Sequence, residues 1–184
     1  LQVVPGAEDS RTFQWTGDGF VPVAGEAPAD GPRVYAAYDE TGGLAGVAVE
    51  AASMGYADTI RMLYGYSTDR DAIVGLQVLE SKETPGLGDR NETDPAFTAN
   101  FEGLDVRLDE SGEAPLHPIV AVKQGEKTEP WQIDGITGAT ISSKAVAAAL
   151  REGTAEWVPR LERQLQDFQR PPETSASQEG SDGP

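Results

Sequence analysis

The sequence predicts an α+β fold in a single domain, with antiparallel β-hairpins first and a C-terminal helix last. Three observations carry this expectation. Residues 33–51 and 60–79 each contain two apolar runs rich in strand formers, arranged around a polar turn. From residue 140 the composition changes to alanine, leucine and other strong helix formers. The length of 184 residues suits one ordinary domain and is enough to bury a core without covalent staples.

Taken in order, residues 1–32 are turn-rich, with Val3-Val4-Pro5-Gly6-Ala7, Gly17-Asp18-Gly19 and a proline-bracketed run at 28–32. They predict an extended lead-in with at most short strands. Because the chain opens at Leu1 rather than Met, an upstream segment is expected to have been removed. Residues 33–38 predict a strand, 39–43 a turn and 44–51 the returning strand. A second pair follows at 60–66 and 72–79 around the polar turn at 67–71. The two hairpins share a length and a rhythm, which fits a weak internal duplication or one meandering sheet. Residues 81–95 form a long stretch without periodicity, and loops of that size in compact domains are functional or disordered. A short helix is expected over 96–101 after the Asp94-Pro95 start, then strands at 106–108 and 119–122. Residues 145–150 read as helix, which Gly153 and Pro159 are expected to weaken or kink. Trp157, Leu161, Leu165 and Phe168 recur at helical spacing as a packing stripe. The predicted domain thus covers 33–168, and the acidic tail at 169–184, without a large apolar residue beyond Phe168, reads as disordered.

Composition excludes several kinds of chemistry. Thirty-one acidic residues against 14 basic give a net charge of -17, and only four of the basic residues are lysines. That balance argues against nucleic acid or an anionic lipid surface as partner. With no cysteine there is no disulfide framework, thiolate metal site, cysteine nucleophile or iron–sulfur cluster held by this chain alone. The single histidine, His117, precedes Pro118 and reads as a loop residue, so no tight transition-metal site is expected. Asp89, Glu92 and Asp94 share one loop and read as solvated acids before they read as a Ca²⁺ or Mg²⁺ site. No apolar run approaches the ~20 residues of a membrane-spanning helix.

Two segments carry chemistry. Asp134-Gly135-Ile136-Thr137-Gly138-Ala139-Thr140-Ile141-Ser142-Ser143-Lys144 is a glycine-containing turn that delivers hydroxyls and a lysine to a helix start. Free N–H groups and the macrodipole make such an end ready for phosphate, and Ser142, Ser143 and Lys144 would add donors. The competing reading makes Thr137 or Thr140 an ordinary N-cap. The second segment is Glu83-Thr84-Pro85-Gly86-Leu87-Gly88, where proline and two glycines fix a tight loop whose amides can approach a flat ligand. Thr84 offers a hydroxyl and Leu87 an apolar face, against the competing reading of a purely structural turn. Trp131, just before the first segment, either borders a ligand or packs in the core.

Together these segments resemble the FMN-binding domain family. Thr-Gly-Ala-Thr followed by Ile-Ser-Ser, with Asp134 ahead, is similar to the family's covalent flavinylation motif. Glu-Thr-Pro-Gly-Leu-Gly after a Gly-x-x-Val-Leu strand resembles the companion signature of one branch. That branch holds the G subunit of the Rnf ferredoxin:NAD oxidoreductase and the C subunit of the sodium-translocating NADH:quinone reductase. The hairpin around Gly55-Tyr56 and the start at Leu1 agree, so the resemblance spans residues 1–168.

The resemblance implies that a flavin transferase moves FMN from FAD onto Thr140 as a phosphoester. Gly138 and Ala139 would leave that hydroxyl open, and Asp134 and Thr137 would serve recognition by the transferase. Thr84, Pro85, Gly86 and Leu87 would contact the ring. Glu83, Ser142, Ser143, Lys144 and Trp131 join them as candidate cofactor-binding residues. Met54, Gly55 and Tyr56 are candidates for the pocket wall or for strand packing. No catalytic or metal-binding residue is implied, and no stand-alone turnover is expected. The implied function is an electron-transfer subunit of a membrane-bound, ion-translocating oxidoreductase complex of the Rnf type, partnered by its other subunits. The domain would stand on the extracytoplasmic side of the cytoplasmic membrane, held by an N-terminal helix absent from this sequence. The alternatives are the quinone-reductase C subunit or a flavin-binding sensory domain of a membrane regulator, against which the Glu83–Gly88 loop speaks. A hydrolase using Ser142, Ser143 and Asp134 lacks both a histidine base and a Gly-x-Ser-x-Gly elbow.

Overall fold

The computed structural model describes residues 2–23 and 31–169. Seven strands form one antiparallel sheet: β1 (Asp9–Trp15), β2 (Phe20–Pro22), β3 (Arg33–Tyr38), β4 (Leu44–Met54), β5 (Thr59–Ser67), β6 (Ala72–Glu80) and β7 (Leu104–Asp105). Their order is β2-β1-β3-β4-β5-β6-β7. The two predicted hairpins are β3–β4 and β5–β6, and β4 pairs with β5 over eight positions from Val47↔Tyr66 to Met54↔Thr59, giving one meander.

Alternation decides which face each strand buries. Val34, Ala36, Tyr38, Val47, Val49, Met62, Tyr64 and Tyr66 point to one side, where a long helix covers them. That helix is α3 (Thr140–Arg163), and Ala145, Val146, Ala149, Leu150, Trp157, Val158 and Leu161 fill the space between the layers. The opposite face is covered locally by Val3 and Val4, which pack on Ala37 and Ala48. A Cβ at Gly65 would overlap the Val3 carbonyl oxygen, so the lead-in can approach the sheet only over glycine.

Several expectations are corrected. The lead-in contains β1, a seven-residue strand that pairs with β3 from Asp9↔Tyr38 to Gln14↔Arg33, so the sheet begins before residue 33. Residues 106–108 are not a strand of the sheet. Leu116 N–H donates to Arg107 O at 2.7 Å and Asp109 N–H to Ala114 O at 2.8 Å, so this run turns back on residues 114–116 instead. The stretch at 81–95 contains a helical turn, α1 (Arg90–Thr93). Helix α3 continues through Gly153 and Pro159, so neither residue ends it. An interior proline costs roughly 3 kcal/mol, but burial of Trp157, Val158 and Leu161, roughly 1.5–3 kcal/mol each, outweighs it.

The short helix expected after Asp94-Pro95 is present as α2 (Pro95–Thr98) followed by a 3-10 turn, Ala99–Phe101, with Asp94 accepting from Ala96 N–H at 3.0 Å. Asp94 also pairs with Arg90 at 2.5 Å. A second, two-stranded sheet holds β8 (Val120–Val122) parallel to β9 (Gln132–Asp134) and delivers the chain to α3. The predicted tail beyond Gln169 lies outside the described residues.

One half-buried cluster links the C-terminal half of α3 to the sheet. Tyr66 O–H donates to Glu162 Oε1 at 2.7 Å, and Asp71 Oδ1 lies 3.4 Å from the same hydroxyl. Burial raises the Glu162 carboxyl above its ordinary value, the tyrosine bond opposes this, and the Asp71 charge adds to it. A raised pKa means the folded state prefers protonated Glu162, so stability is lost as pH rises through the folded value. Glu162→Gln, which cannot ionise and still accepts from Tyr66, is expected to raise the thermal midpoint at pH 7. The gap should close as pH falls below the ordinary value of 4.5, which paired melting curves would show.

Candidate functional site

Strand β9 ends at Asp134, and a short turn leads from it to the start of α3 at Thr140. That turn is held from both sides. Gly135 N–H donates to Val122 O at 3.0 Å, Ile136 N–H to Ser143 Oγ at 3.1 Å, and Ala139 N–H to Ile136 O at 3.0 Å. Asp134 Oδ1 accepts from Gly125 N–H at 2.7 Å, and Thr137 N–H donates to Gln124 Oε1 at 3.1 Å. Gly138 takes φ +87°, a conformation suited to glycine. The N-cap is Ala139, with no side-chain cap, so neither Thr137 nor Thr140 fills that role. Thr140 occupies the first helical position and is exposed, beside first-turn amides that no side chain caps.

The second segment, distant in sequence, meets the first in space. Leu87 N–H closes a turn on Thr84 O at 3.1 Å, with Pro85 in the second position and Gly86 at φ +77° in the third, as a type II turn requires. This presents Leu87 toward Gly138, where an added Cβ would lie 3.7 Å from Leu87 Cδ2. Between them lies a depression of about 580 Å³, walled by Tyr56, Thr84, Leu87, Thr140 and Ile141. Three of the seven exposed large hydrophobics of the described residues, Tyr56, Leu87 and Ile141, gather here. Such a cluster marks a binding surface. A second depression of about 610 Å³ lies on the other side of Gly138 and Thr140, bordered by Lys123, Gln124, Thr137 and Lys144.

Other candidates are placed differently from expectation. Ser142 and Ser143 are buried and their hydroxyls are committed within the protein, so those hydroxyls are not offered to an anion at the helix end. Ser142 donates to Glu83, and Ser143 donates to Ala139 O at 2.9 Å. Glu83 is buried at the floor of the depression, which it lines together with Ser142. Burial works to raise its carboxyl pKa, but the Ser142 hydroxyl and the backbone amides of Ala57, Tyr56 and Asp58 outweigh it and hold it below the ordinary value. Trp131 stacks on His117 with centroids 3.7 Å apart and borders neither depression. Met54 is exposed at the end of β4 and so is not packed within the sheet.

Two contributors escaped sequence reasoning. Ile141 adds an apolar wall at the second helical position; its signal was an apolar residue on the outer side of a helix start. Asn100 is buried in the turn before β7 and bonds the backbone of Asp134 twice, through Nδ2 to the carbonyl at 3.1 Å and from the amide to Oδ1 at 2.9 Å. Nothing local in the sequence marks it.

Residues 55–155, more than half of the chain and including both segments, match the family model described as the FMN-binding domain. The chain belongs to the FMN-binding domain family. Among its relatives, the G subunit of the ion-translocating oxidoreductase complex of Methanosarcina acetivorans is 38% identical over 135 residues, which cover 71% of this chain and 63% of that protein. The G subunit of the Na(+)-translocating ferredoxin:NAD(+) oxidoreductase complex of Acetobacterium woodii is 33% identical over 96 residues, 52% of this chain and 41% of that protein. The chain thus spans less than two thirds of the length of either relative. In fold it is similar to NqrC of Shewanella oneidensis, with TM-score 0.61, 21% identity, and coverage of 91% of this chain and 84% of that one. The C subunit of the Na(+)-translocating NADH-quinone reductase of Parabacteroides distasonis gives TM-score 0.64 at 24% identity, covering 84% and 78%. These likenesses agree with the antiparallel sheet and C-terminal helix expected from the sequence.

Proposed function

We propose that this FMN-binding domain is the electron-carrying part of an Rnf-type ion-translocating oxidoreductase, with FMN attached to Thr140 as a phosphoester. The observation that carries the reading is the meeting of the two segments. An exposed hydroxyl on an uncapped helix start stands at the edge of a depression whose apolar wall comes from Leu87, Tyr56 and Ile141. The volume lies within the roughly 300–1,000 Å³ usual for cofactor sites, and exposed apolar side chains beside free amides suit a flat ring joined to a phosphate. Bound flavin supplies the redox chemistry that the chain's own side chains lack.

The residues divide the work. Thr140 Oγ would form the ester to phosphorus as the pyrophosphate bond of FAD breaks, releasing AMP and the hydroxyl proton. Gly138 and Ala139 leave that oxygen open, and the first-turn amides favour the remaining negative charge. Thr84, Leu87, Tyr56 and Ile141 would hold the ring. Asp134 and Thr137, which shape the turn, would be read by the flavin transferase, and Lys144 lies on the far side of Thr140. The sequence relatives at 38% and 33% identity are G subunits, whereas the quinone-reductase C subunits are matched in fold at 21% and 24%, so we adopt the Rnf-type complex. Its other subunits would be the partners, at the extracytoplasmic side of the cytoplasmic membrane. Among the described residues no helix is long and apolar enough to cross a membrane.

The test is co-expression with a flavin transferase followed by denaturation in SDS. Yellow fluorescence is expected to migrate with the chain, and peptide mapping to place the added mass on the peptide holding Thr140. Absence of label beside a working transferase control would overturn the attachment. In the native complex, losing ion transport on removal of the Thr140 hydroxyl, with assembly intact, would establish the relay role.

A further inference from the structure

Glu83 is the one charged side chain among the buried described residues. Removing a carboxylate from water costs several kcal/mol unless aligned donors replace the solvent, and a close-packed apolar side chain would avoid that cost. Here the donors come from two separate segments. Oε1 accepts from Ala57 N–H at 2.9 Å, and Oε2 accepts from the Ser142 hydroxyl. Two glycines keep the space open. A Cβ at Gly55 would lie 2.6 Å from Oε1, and one at Gly88 would lie 2.6 Å from Oε2 and 2.8 Å from Ser142 Oγ.

The three segments that meet at this carboxylate are the three walls of the depression. The turn at 54–58 carries Tyr56, the loop at 83–88 carries Thr84 and Leu87, and the start of α3 carries Thr140 and Ile141. We propose that Glu83 is a positioning residue whose carboxylate ties the 54–58 turn and the 83–88 loop to the first turn of α3, setting the gap beside Thr140. The side chain acts from the floor of the depression, which it lines with Ser142, through the Ser142 hydroxyl and the backbone of Ala57. A hydrogen-bonded anion suits this task because its two oxygens fix direction as well as distance, which apolar packing does not.

The proposal rests on the reading that this depression receives the ring of FMN attached at Thr140, so the experiment has one arm independent of flavin. In that arm, hydrogen exchange is measured on the unlabelled chain. Glu83→Ala is expected to raise exchange at 54–58 and 84–88 by about tenfold or more, as loss of a charge-assisted bond implies. Ser142→Ala should loosen 84–88 against the helix and leave 54–58 protected. Glu83→Gln should stay near wild type, because its amide oxygen can accept from Ala57 while its NH₂ donates to Ser142. Wild-type exchange at 84–88 in both alanine variants would overturn the proposal, and Ser142→Ala alone decides if Glu83→Ala does not fold.

In the second arm, visible circular dichroism is measured per covalently bound flavin. The signal is expected to fall severalfold in Ser142→Ala and to persist in Glu83→Gln. Altered exchange with an unchanged flavin signal would overturn the claim that Glu83 sets the gap. Failure of wild type to take up flavin at Thr140 would instead count against the proposed function, with the exchange arm still judging the carboxylate.

Discussion

Thr140→Ala is expected to leave a folded chain that carries no SDS-resistant flavin. Thr140 is exposed, sits at the first helical position and caps nothing, because the N-cap is Ala139 and no side chain caps the helix. Alanine is the best helix former, so the change in stability should stay within about 0.5 kcal/mol. The loss of label should be complete because no neighbouring hydroxyl can substitute. Ser142 and Ser143 are buried, with their protons donated to Glu83 and Ala139 O. Thr137 is exposed, but it lies in the turn before the helix, with its N–H held by Gln124 Oε1. Thr137→Ala should therefore slow labelling without moving it, and Thr140→Ser should retain it by offering the same oxygen in the same place. Label surviving in Thr140→Ala would locate the ester elsewhere, with Thr137 the next residue to test. The linkage has a thermodynamic signature as well. A phosphodiester keeps one negative charge at the helix N-terminus, worth ~0.3–1 kcal/mol, so labelled protein should melt slightly above unlabelled protein.

The meander was legible because β3 to β6 are runs of strand formers set around polar turns, which is a local signal. Strand β1 was hidden by its composition. Asp9-Ser10-Arg11-Thr12-Phe13-Gln14-Trp15 has a single fully buried residue, Phe13, and its place beside β3 follows from pairing rather than from pattern. Strand β9 is shorter still, with Ile133 alone buried. At the site, the turn chemistry of Pro85-Gly86 and the positive φ of Gly138 could be read from the residues themselves. The tasks of Glu83 and Ser142 could not. They are partners 59 residues apart, and only the fold shows that two residues of different motifs satisfy each other beneath the surface. Trp131 shows the reverse error: proximity in sequence suggested a place beside the ligand, yet its ring stacks on His117.

Asn100→Leu should be strongly destabilising, for a reason that lies in backbone accounting. Strand β9 pairs with β8 on one side only, and on the other side the Asn100 side chain takes the place of a neighbouring strand. Its Nδ2 donates to the carbonyls of Asp134 at 3.1 Å and Phe97 at 2.9 Å, while Oδ1 accepts from Asp134 N–H at 2.9 Å and Lys127 Nζ at 3.2 Å. Leucine fills a similar volume but leaves both polar groups of Asp134's backbone without that partner, at roughly 1–3 kcal/mol each. A net loss of about 2–4 kcal/mol corresponds to a midpoint lower by roughly 5–15 °C for a domain of this size. Thermal melts of the unlabelled chain measure it directly, and a drop below about 1 kcal/mol would mean that water replaces the amide at little cost. Because Asp134 begins the turn that ends at Thr140, the same substitution should slow flavin attachment at temperatures where the chain is still folded. Asn100 would then be tied to function through the backbone it completes.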